Sequence, residues 1–323
     1  MVGCVIVCDD KIIGEGFTSP YGGNHAEVNA INSVRDKDLL KKATLYVTLE
    51  PCSHFGKTPP CADNIVKHKI QKVVIGLTDP HDKVAGKGIQ KLKDAGCEVI
   101  TGVLEKECRV HHKRFLCFQE KKRPYIVLKW AETKDGFIAP TASMRSANPE
   151  PFWITNKKSR QLAHQWRAEE QAILVGTKTV LEDNPKLDVR HWHGKPPIRI
   201  VLDRTLKIGS HFNVMDGAVK TIILTEIDNT KNTQNLIFEQ IKFDDNLAHH
   251  IYKVLHQYNI VSVIIEGGSQ TLQTFIDANA WDEAHVFTGN TTFSGGILAP
   301  NFQKKSVSKT KIGTDELNFY IND

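Results

Sequence analysis

The 323-residue sequence has no apolar run approaching the roughly 18 residues that a membrane span needs, so no membrane role is expected. It has no internal repeat and no low-complexity tract, and "DNTKNTQN" (Asp228 to Asn235) reads as a polar surface loop. The opening "MVGCVIVCDDKIIGEGF" shows no basic leader and no small-residue cleavage site; it reads as a strand entering a turn, with the cytoplasm as the expected compartment. Seven cysteines, an odd number, argue against a disulfide framework and leave metal binding or burial as their uses. The net charge of +5 is scattered, which suits anionic small molecules and is too diffuse to indicate nucleic acid. No G-x-G-x-x-G follows a predicted strand, so the Rossmann signature of dinucleotide binding is missing.

What is present is an ordinary globular composition, 40% hydrophobic and 24% charged, in a chain longer than one hydrophobic core usually grows. Two α/β domains are therefore expected, residues 1–122 and 123–323. In the first, "VGCVIVCD" and "KIIGEGF" predict two strands, "HAEVNAINSVRD" a helix, and "ATLYVTLEP" a strand stopped by Pro51. Helix "CADNIVKHKI", strand "KVVIGLTDP", helix "KGIQKLKDAG" and strand "CEVITGVL" follow, and "ECRVHHKRFLCFQEKKRP" reads as one helix leading into a linker. The alternation restarts at "PYIVLKWAETKDGFIAP". Near the end, "VSVIIEGGSQTLQTFIDANA" reads as a buried strand, a Gly-Gly turn and a helix.

Chemistry concentrates at "NHAEVNA" and "LEPCSHFGKTPPCADN". Zinc takes imidazole and thiolate ligands in tetrahedral geometry, and a catalytic zinc keeps its fourth position for water. His25, Cys52 and Cys61 supply three ligands, and Glu27 stands two residues after the His, where the H-x-E pattern of zinc deaminases puts a carboxylate that shuttles protons rather than binding metal. The second Cys follows the first after eight residues instead of two. The insertion "SHFGKTPP", with one Gly and two consecutive Pro, can form a stiff excursion that returns Cys61 to the metal at the start of the next helix and lines the pocket mouth. His54 and Lys57 within it could touch a substrate or its phosphate, or be solvated.

The longer string "GGNHAEVNAI … TLYVTLEPCSHFGKTPPCADNIV … GLTDPHDKVAGKGIQKLKDAGCEV" resembles the deaminase half of the bifunctional riboflavin-biosynthesis deaminase/reductase family, over nearly all of residues 2–108. The resemblance implies a cytidine-deaminase-like α/β/α layer fold. It also implies a substrate, a diaminopyrimidinone carrying a ribosylamino 5-phosphate, whose ring amino group is hydrolysed with Zn2+ and Glu27. Family members carry a helix and a Pro-Asn-Pro turn before the segment matched by Val2 to Val7, whereas this sequence opens at Met1. Either the chain starts late or the helix is missing, and the expected consequence is looser packing or weaker substrate binding in this half.

"RPYIVLKWAETKDGFIAP … FWITNKKSRQLAHQWRAEEQAILVGTKTVLEDNPKLDVR", with "VIIEGGSQTL", resembles the reductase half of the same family across most of residues 123–300 and implies a dihydrofolate-reductase-like fold using NADPH. Matched residue by residue, Ala131, Trp153, Thr179, Asp183 and the turn Gly268, Ser269, Gln270 and Thr271 are implied NADPH contacts. Arg167, Leu187, Arg190 and Glu266 are implied substrate contacts, the two Arg facing a phosphate that guanidinium groups bind bidentately. Lys129 precedes Ala131 by two on a strand and so shares its face, where it is expected to orient the substrate. Pro151 replaces a Ser that in the family contacts substrate, and "TKDG" (Thr133 to Gly136) replaces "SLDG". On the residues alone, Gly267-Gly268 fits a phosphate at a helix N-terminus and fits any tight turn equally. The expected partner is thus a small phosphorylated pyrimidine, with no nucleic acid and no membrane, and a homo-oligomer is implied by the family. Competing readings are a zinc deaminase of other nucleosides or tRNA, a structural zinc module closed by His54, and a reductase attached to an inactive, truncated deaminase half.

Overall fold

The computed structural model describes residues 1–81, 85–147, 152–228 and 231–322. The chain divides into two units, Met1–Lys121 and Lys122–Asp323.

In the first unit β1 (Gly3–Cys8) and β2 (Lys11–Phe17) form the expected hairpin, with Asp9 and Asp10 in the left-handed region at its tip. After α1 (Ala26–Ser33) the chain makes a short 3-10 turn and enters β3 (Thr44–Val47), then α2 (Cys61–Lys67), β4 (Lys72–Ile75), α3 (Lys87–Asp94) and β5 (Glu98–Thr101). The sheet order is β2-β1-β3-β4-β5, with β1 antiparallel to both neighbours and β3, β4 and β5 parallel. Alternation along β1 turns Cys4, Ile6 and Cys8 inward, where they pack with Ala26, Ala30 and Ile31 of α1, Ala62 and Ile65 of α2, and Leu92 of α3. The expected single helix after β5 is two, α4 (Glu105–His111) and α5 (Lys113–Lys121). They meet at His112, whose buried ring lies 2.9 Å from Thr48 Oγ1 through Nε2. Cys108 of α4 lies against Gly76, just beyond β4, so closely that any Cβ on that glycine would overlap its Sγ.

Among its described residues the second unit is built on nine strands: β6 (Tyr125–Glu132), β8 (Ala172–Gly176), β9 (Ile198–Leu202), β10 (Thr221–Thr225), β11 (Leu236–Gln240), β12 (Ser262–Ile265), β13 (Glu283–Thr288), β15 (Ser308–Ile312) and β16 (Asp315–Ile321), with β7 (Phe137–Ala139) and β14 (Ile297–Leu298) forming a separate pair. The helices are α6 (Ala142–Ala147), α7 (Lys157–Glu169), α8 (Thr177–Asp183), α9 (Leu247–Gln257) and α10 (Ser269–Asp277). The order is β11-β10-β9-β8-β12-β6-β13-β16-β15, parallel from β11 to β13 and antiparallel across β13, β16 and β15. Ile126 and Leu128 of β6, Leu174 of β8, Ile200 of β9, and Val263 and Ile265 of β12 join Ile251 and Leu255 of α9 and Leu272 and Phe275 of α10 in one core. The chain runs outward from β8 to β11 and then returns to insert β12 between β8 and β6. That reversal opens a crevice at the carboxyl ends of these strands, the usual place for a ligand in an open parallel sheet.

Candidate functional sites

The first site stands where two helices of the first unit begin. His25 is the N-cap of α1 and Cys61 the first residue of α2, while Cys52 follows Pro51 at the turn after β3. Buried Pro60 precedes Cys61, so the insertion ends as a rigid entry into the helix. Cys52 Sγ lies 3.5 Å and Cys61 Sγ 3.3 Å from His25 Nδ1, and the three donor atoms all fall within 4.8 Å of one another. Ligands at ordinary Zn–S and Zn–N lengths on a tetrahedral ion stand about 3.6 Å apart, so this trio fits zinc and leaves one position open. Among the described residues it is the one such group; His54 is exposed and outside it, which removes the fourth protein ligand that a closed structural site requires. The Cys61 backbone N–H donates to Cys52 Sγ at 3.3 Å. Hydrogen bonds with Cys61 and His25, against the effect of burial, hold the Cys52 thiol down at about 4, in the thiolate form that binds metal.

Glu27 occupies the first turn of α1 and is only 3% exposed. Burial, and then the Cys52 charge, push its carboxyl up to about 7 against the hydrogen bond from its own backbone N–H. A cation held by the neighbouring ligands would pull it down again, and a carboxyl poised near neutrality can both accept and return a proton.

One residue of this site was not anticipated from sequence. Glu50, directly before Pro51-Cys52, is buried and accepts four backbone N–H groups: Asp79 at 3.2 Å, Gly86 at 3.0 Å, Gly88 at 2.9 Å and Ile89 at 3.1 Å. It ties the segment leading into α3 to the turn that carries Cys52, and Gly88 lies against Pro51 O with no room for a Cβ. The only signal available was a carboxylate at a strand end, upstream of a glycine-rich helix start.

The second site is a cavity of about 1000 Å³ in the second unit, at the crevice described above. Lys129, Ala131, Trp153, Arg167, Thr179, Asp183, Arg190, Glu266, Gly268, Ser269, Gln270 and Thr271 all line it. Leu187 does not; it is buried, with φ 52°. Pro151 lies outside the described residues. Alternation on β6 explains the first two: Ile126, Leu128 and Trp130 join the core, and Lys129 and Ala131 take the opposite face. Gly267 packs so tightly on β8 that a Cβ would stand 2.6 Å from Val175 Cα, and Gly268 caps α10 at φ 61°. Gly176 caps α8 beside it, where a Cβ would stand 2.5 Å from Thr271 Oγ1. Bare backbone at the start of α10, lining this cavity, is a fit for a dinucleotide pyrophosphate.

Also lining the cavity, Arg167 donates from Nε and Nη2 to the two oxygens of Glu266, at 2.7 and 2.6 Å, and from Nη1 to Asp188 O at 3.2 Å. Lys129 Nζ stands 3.6 Å from Glu266 Oε2. Burial raises the Glu266 carboxyl, but the charges of Arg167 and Lys129 outweigh it and hold it down at about 2. Arg167 is thus committed to a carboxylate, whereas the sequence suggested a guanidinium open to phosphate. Arg145, also unforeseen, lines the cavity and pairs with Glu182 at 2.7 Å and Asp183 at 3.3 Å.

A three-ligand zinc site with a buried carboxylate, joined in one chain to a dinucleotide cavity, defines a metal-dependent deaminase coupled to a nicotinamide-dependent reductase. Family models match accordingly: the cytidine and deoxycytidylate deaminase zinc-binding region over residues 1–77, and the RibD C-terminal domain over residues 124–315. The riboflavin biosynthesis protein RibD of Aquifex aeolicus is 38% identical over 318 residues, covering 96% of this chain and 86% of the relative. That of Escherichia coli is 40% identical over 304 residues, covering 88% and 80%. The crystal structure of a diaminohydroxyphosphoribosylaminopyrimidine deaminase/5-amino-6-(5-phosphoribosylamino)uracil reductase from Thermotoga maritima superposes with a TM-score of 0.88 at 36% identity, covering 100% of this chain and 92% of the other. The chain belongs to the RibD family, the bifunctional deaminase/reductases of riboflavin biosynthesis, with a zinc-binding deaminase domain and an NADPH-dependent reductase domain of dihydrofolate-reductase-like fold. It acts on small pyrimidines, and among the described residues no helix is long and apolar enough to cross a membrane.

Proposed function

We propose that residues 1–122 hydrolyse the ring amino group of 2,5-diamino-6-(5-phosphoribosylamino)pyrimidin-4-one, and that residues 123–323 then reduce the ribosyl group of the product to a ribityl chain. The observation that carries the first assignment is Glu27, a buried carboxyl two residues from a ligand of a three-donor metal site. His25 Nδ1, Cys52 Sγ and Cys61 Sγ would hold zinc. Zinc, when bound, lowers the pKa of water towards neutrality. Glu27 takes a proton from the attacking water and returns it to the leaving amino nitrogen, so that ammonia and the uracil result. Glu50 keeps the neighbouring backbone fixed while this happens.

In the reductase half, Gly268, Ser269, Gln270 and Thr271, with Ala131, Trp153, Thr179 and Asp183, would hold NADPH, which supplies a hydride when bound. The C1′–O4′ bond opens as C1′ gains the hydride, and O4′ must take a proton. Lys129 Nζ carries one into the cavity. Glu266, anchored by Arg167, orients Lys129, and Arg190 stands at the end of the cavity assigned to the substrate phosphate. Seven cysteines, an odd number with two of them placed as metal donors, support a reducing and hence cytoplasmic setting. A homo-oligomer acting on the small phosphorylated substrate, without nucleic acid, completes the proposal. Glu27→Gln tests the first assignment: it should keep its zinc on metal analysis and release no ammonia, and a variant that still deaminates at the wild-type rate would refute it.

A further inference from the structure

The roles above leave a buried histidine in the wall of the reductase cavity unused. His164 lies on α7 three residues before Arg167, so the two side chains share one helix face. Its ring lines the cavity although the residue is only 4% exposed, and the His191 ring stands edge-on to it with centroids 4.8 Å apart. Nδ1 is sealed from solvent and has no hydrogen-bond partner. A buried N–H without an acceptor is costlier than a bare lone pair, so the neutral ring places its proton on Nε2 and offers that N–H to the cavity.

The surroundings state which ligand such a donor meets. Lys129, Arg167 and Arg190 bring three positive charges to this wall, against the carboxylates of Glu266 and Asp188; Arg190 Nη1 donates to Asp188 Oδ1 at 2.5 Å. The balance is positive before any ligand arrives, which favours an anion over a neutral sugar or a base edge.

We propose that His164 is a substrate-binding residue of the reductase, donating its Nε2–H as a neutral imidazole to the 5-phosphate of the ribosyl group. The assignment rests on the reading of this end of the cavity as the phosphate end. Burial, followed by the charges of Arg167, Arg190 and His191 and opposed by Glu266, holds the ring down at about 4, and Nδ1 has no acceptor for a second proton. The imidazole therefore recognises the phosphate as a hydrogen-bond donor and not as a charge.

Two variants separate the nitrogens. The amide of His164→Gln reaches the place of Nε2, and that of His164→Asn the place of Nδ1. At saturating NADPH, with the deaminated, phosphorylated substrate, H164N should raise KM roughly 10- to 100-fold, the value of one hydrogen bond to a charged acceptor, with kcat within about threefold. H164Q should keep KM within about fivefold of wild type. On the same substrate without its phosphate, wild type and H164N should be equally poor. An unchanged KM in H164N, equal losses in H164N and H164Q, or a loss that persists on the phosphate-free substrate would each overturn the proposal and leave His164 a packing residue. Arg190→Gln, measured alongside, tests the phosphate end separately: an unchanged KM there defeats that reading, whatever His164 does.

Discussion

Replacing Arg167 by Met removes the partner of Glu266 while preserving much of the side-chain volume. The Glu266 side chain is 7% exposed and that of Arg167 14%, so solvent screens the pair little. Glu266 is held at about 2 where a carboxyl of its type ordinarily stands at 4.5: burial acts upward, and the Arg167 and Lys129 charges win. A displacement of that size is worth about 3 kcal/mol at neutral pH, close to the roughly 3–5 kcal/mol that breaking a buried pair costs. Lys129, 3.6 Å from Glu266 Oε2, remains and returns part of this, so the expected loss is about 2–3 kcal/mol. In a domain of roughly 200 residues that lowers the unfolding midpoint by about 4–12 °C. The pH dependence has a definite sign. The folded carboxyl titrates below the unfolded one, so the pair's contribution is complete above about pH 4.5 and is lost as pH falls towards 2. The deficit of R167M, followed by circular dichroism on heating, should be full at pH 7 and shrink steadily below pH 4.5. A deficit under about 0.5 kcal/mol at pH 7, or one unchanged between pH 7 and pH 3, would refute the reasoning.

Other outcomes follow from the same geometry. Glu50→Gln loses acceptors for two of its four backbone partners, either Asp79 and Gly86 or Gly88 and Ile89; amide exchange in one of these pairs should quicken and deamination fall at least tenfold, while zinc content and NADPH oxidation stay at wild-type levels. Gly267→Ala forces a Cβ against Val175, and NADPH affinity measured by fluorescence titration should weaken more than tenfold. His54→Ala should retain full zinc on metal analysis, whereas Cys61→Ser should lose most of it, because only the second removes a donor from the trio.

The metal site was legible because its signal is local: two short strings at strand and helix ends fix four residues whose roles are set by coordination and proton-transfer chemistry. The reductase cavity was legible only through resemblance, since its residues are scattered from β6 to α10 and no single string brings Lys129 to Glu266. Glu50 and His164 were missed for the same reason, their partners lying 29 or more residues away or having no sequence signal at all. Among the elements, α6, α9, β11, β13, β14, β15 and β16 went unpredicted. β11 is half-buried at a sheet edge next to a polar loop, and β15 is nearly all exposed, so neither shows the apolar alternation that marks a strand.

The most direct test of the account follows ammonia and NADPH in one tube, with the zinc-replete protein and the diaminopyrimidinone ribosylamino phosphate, beside Glu27→Ala. Wild type should release ammonia and then oxidise NADPH. Glu27→Ala should do neither with this substrate, and should oxidise NADPH normally when the deaminated product is supplied. Ammonia release undiminished in Glu27→Ala, or NADPH oxidation from the undeaminated substrate at the wild-type rate, would contradict it.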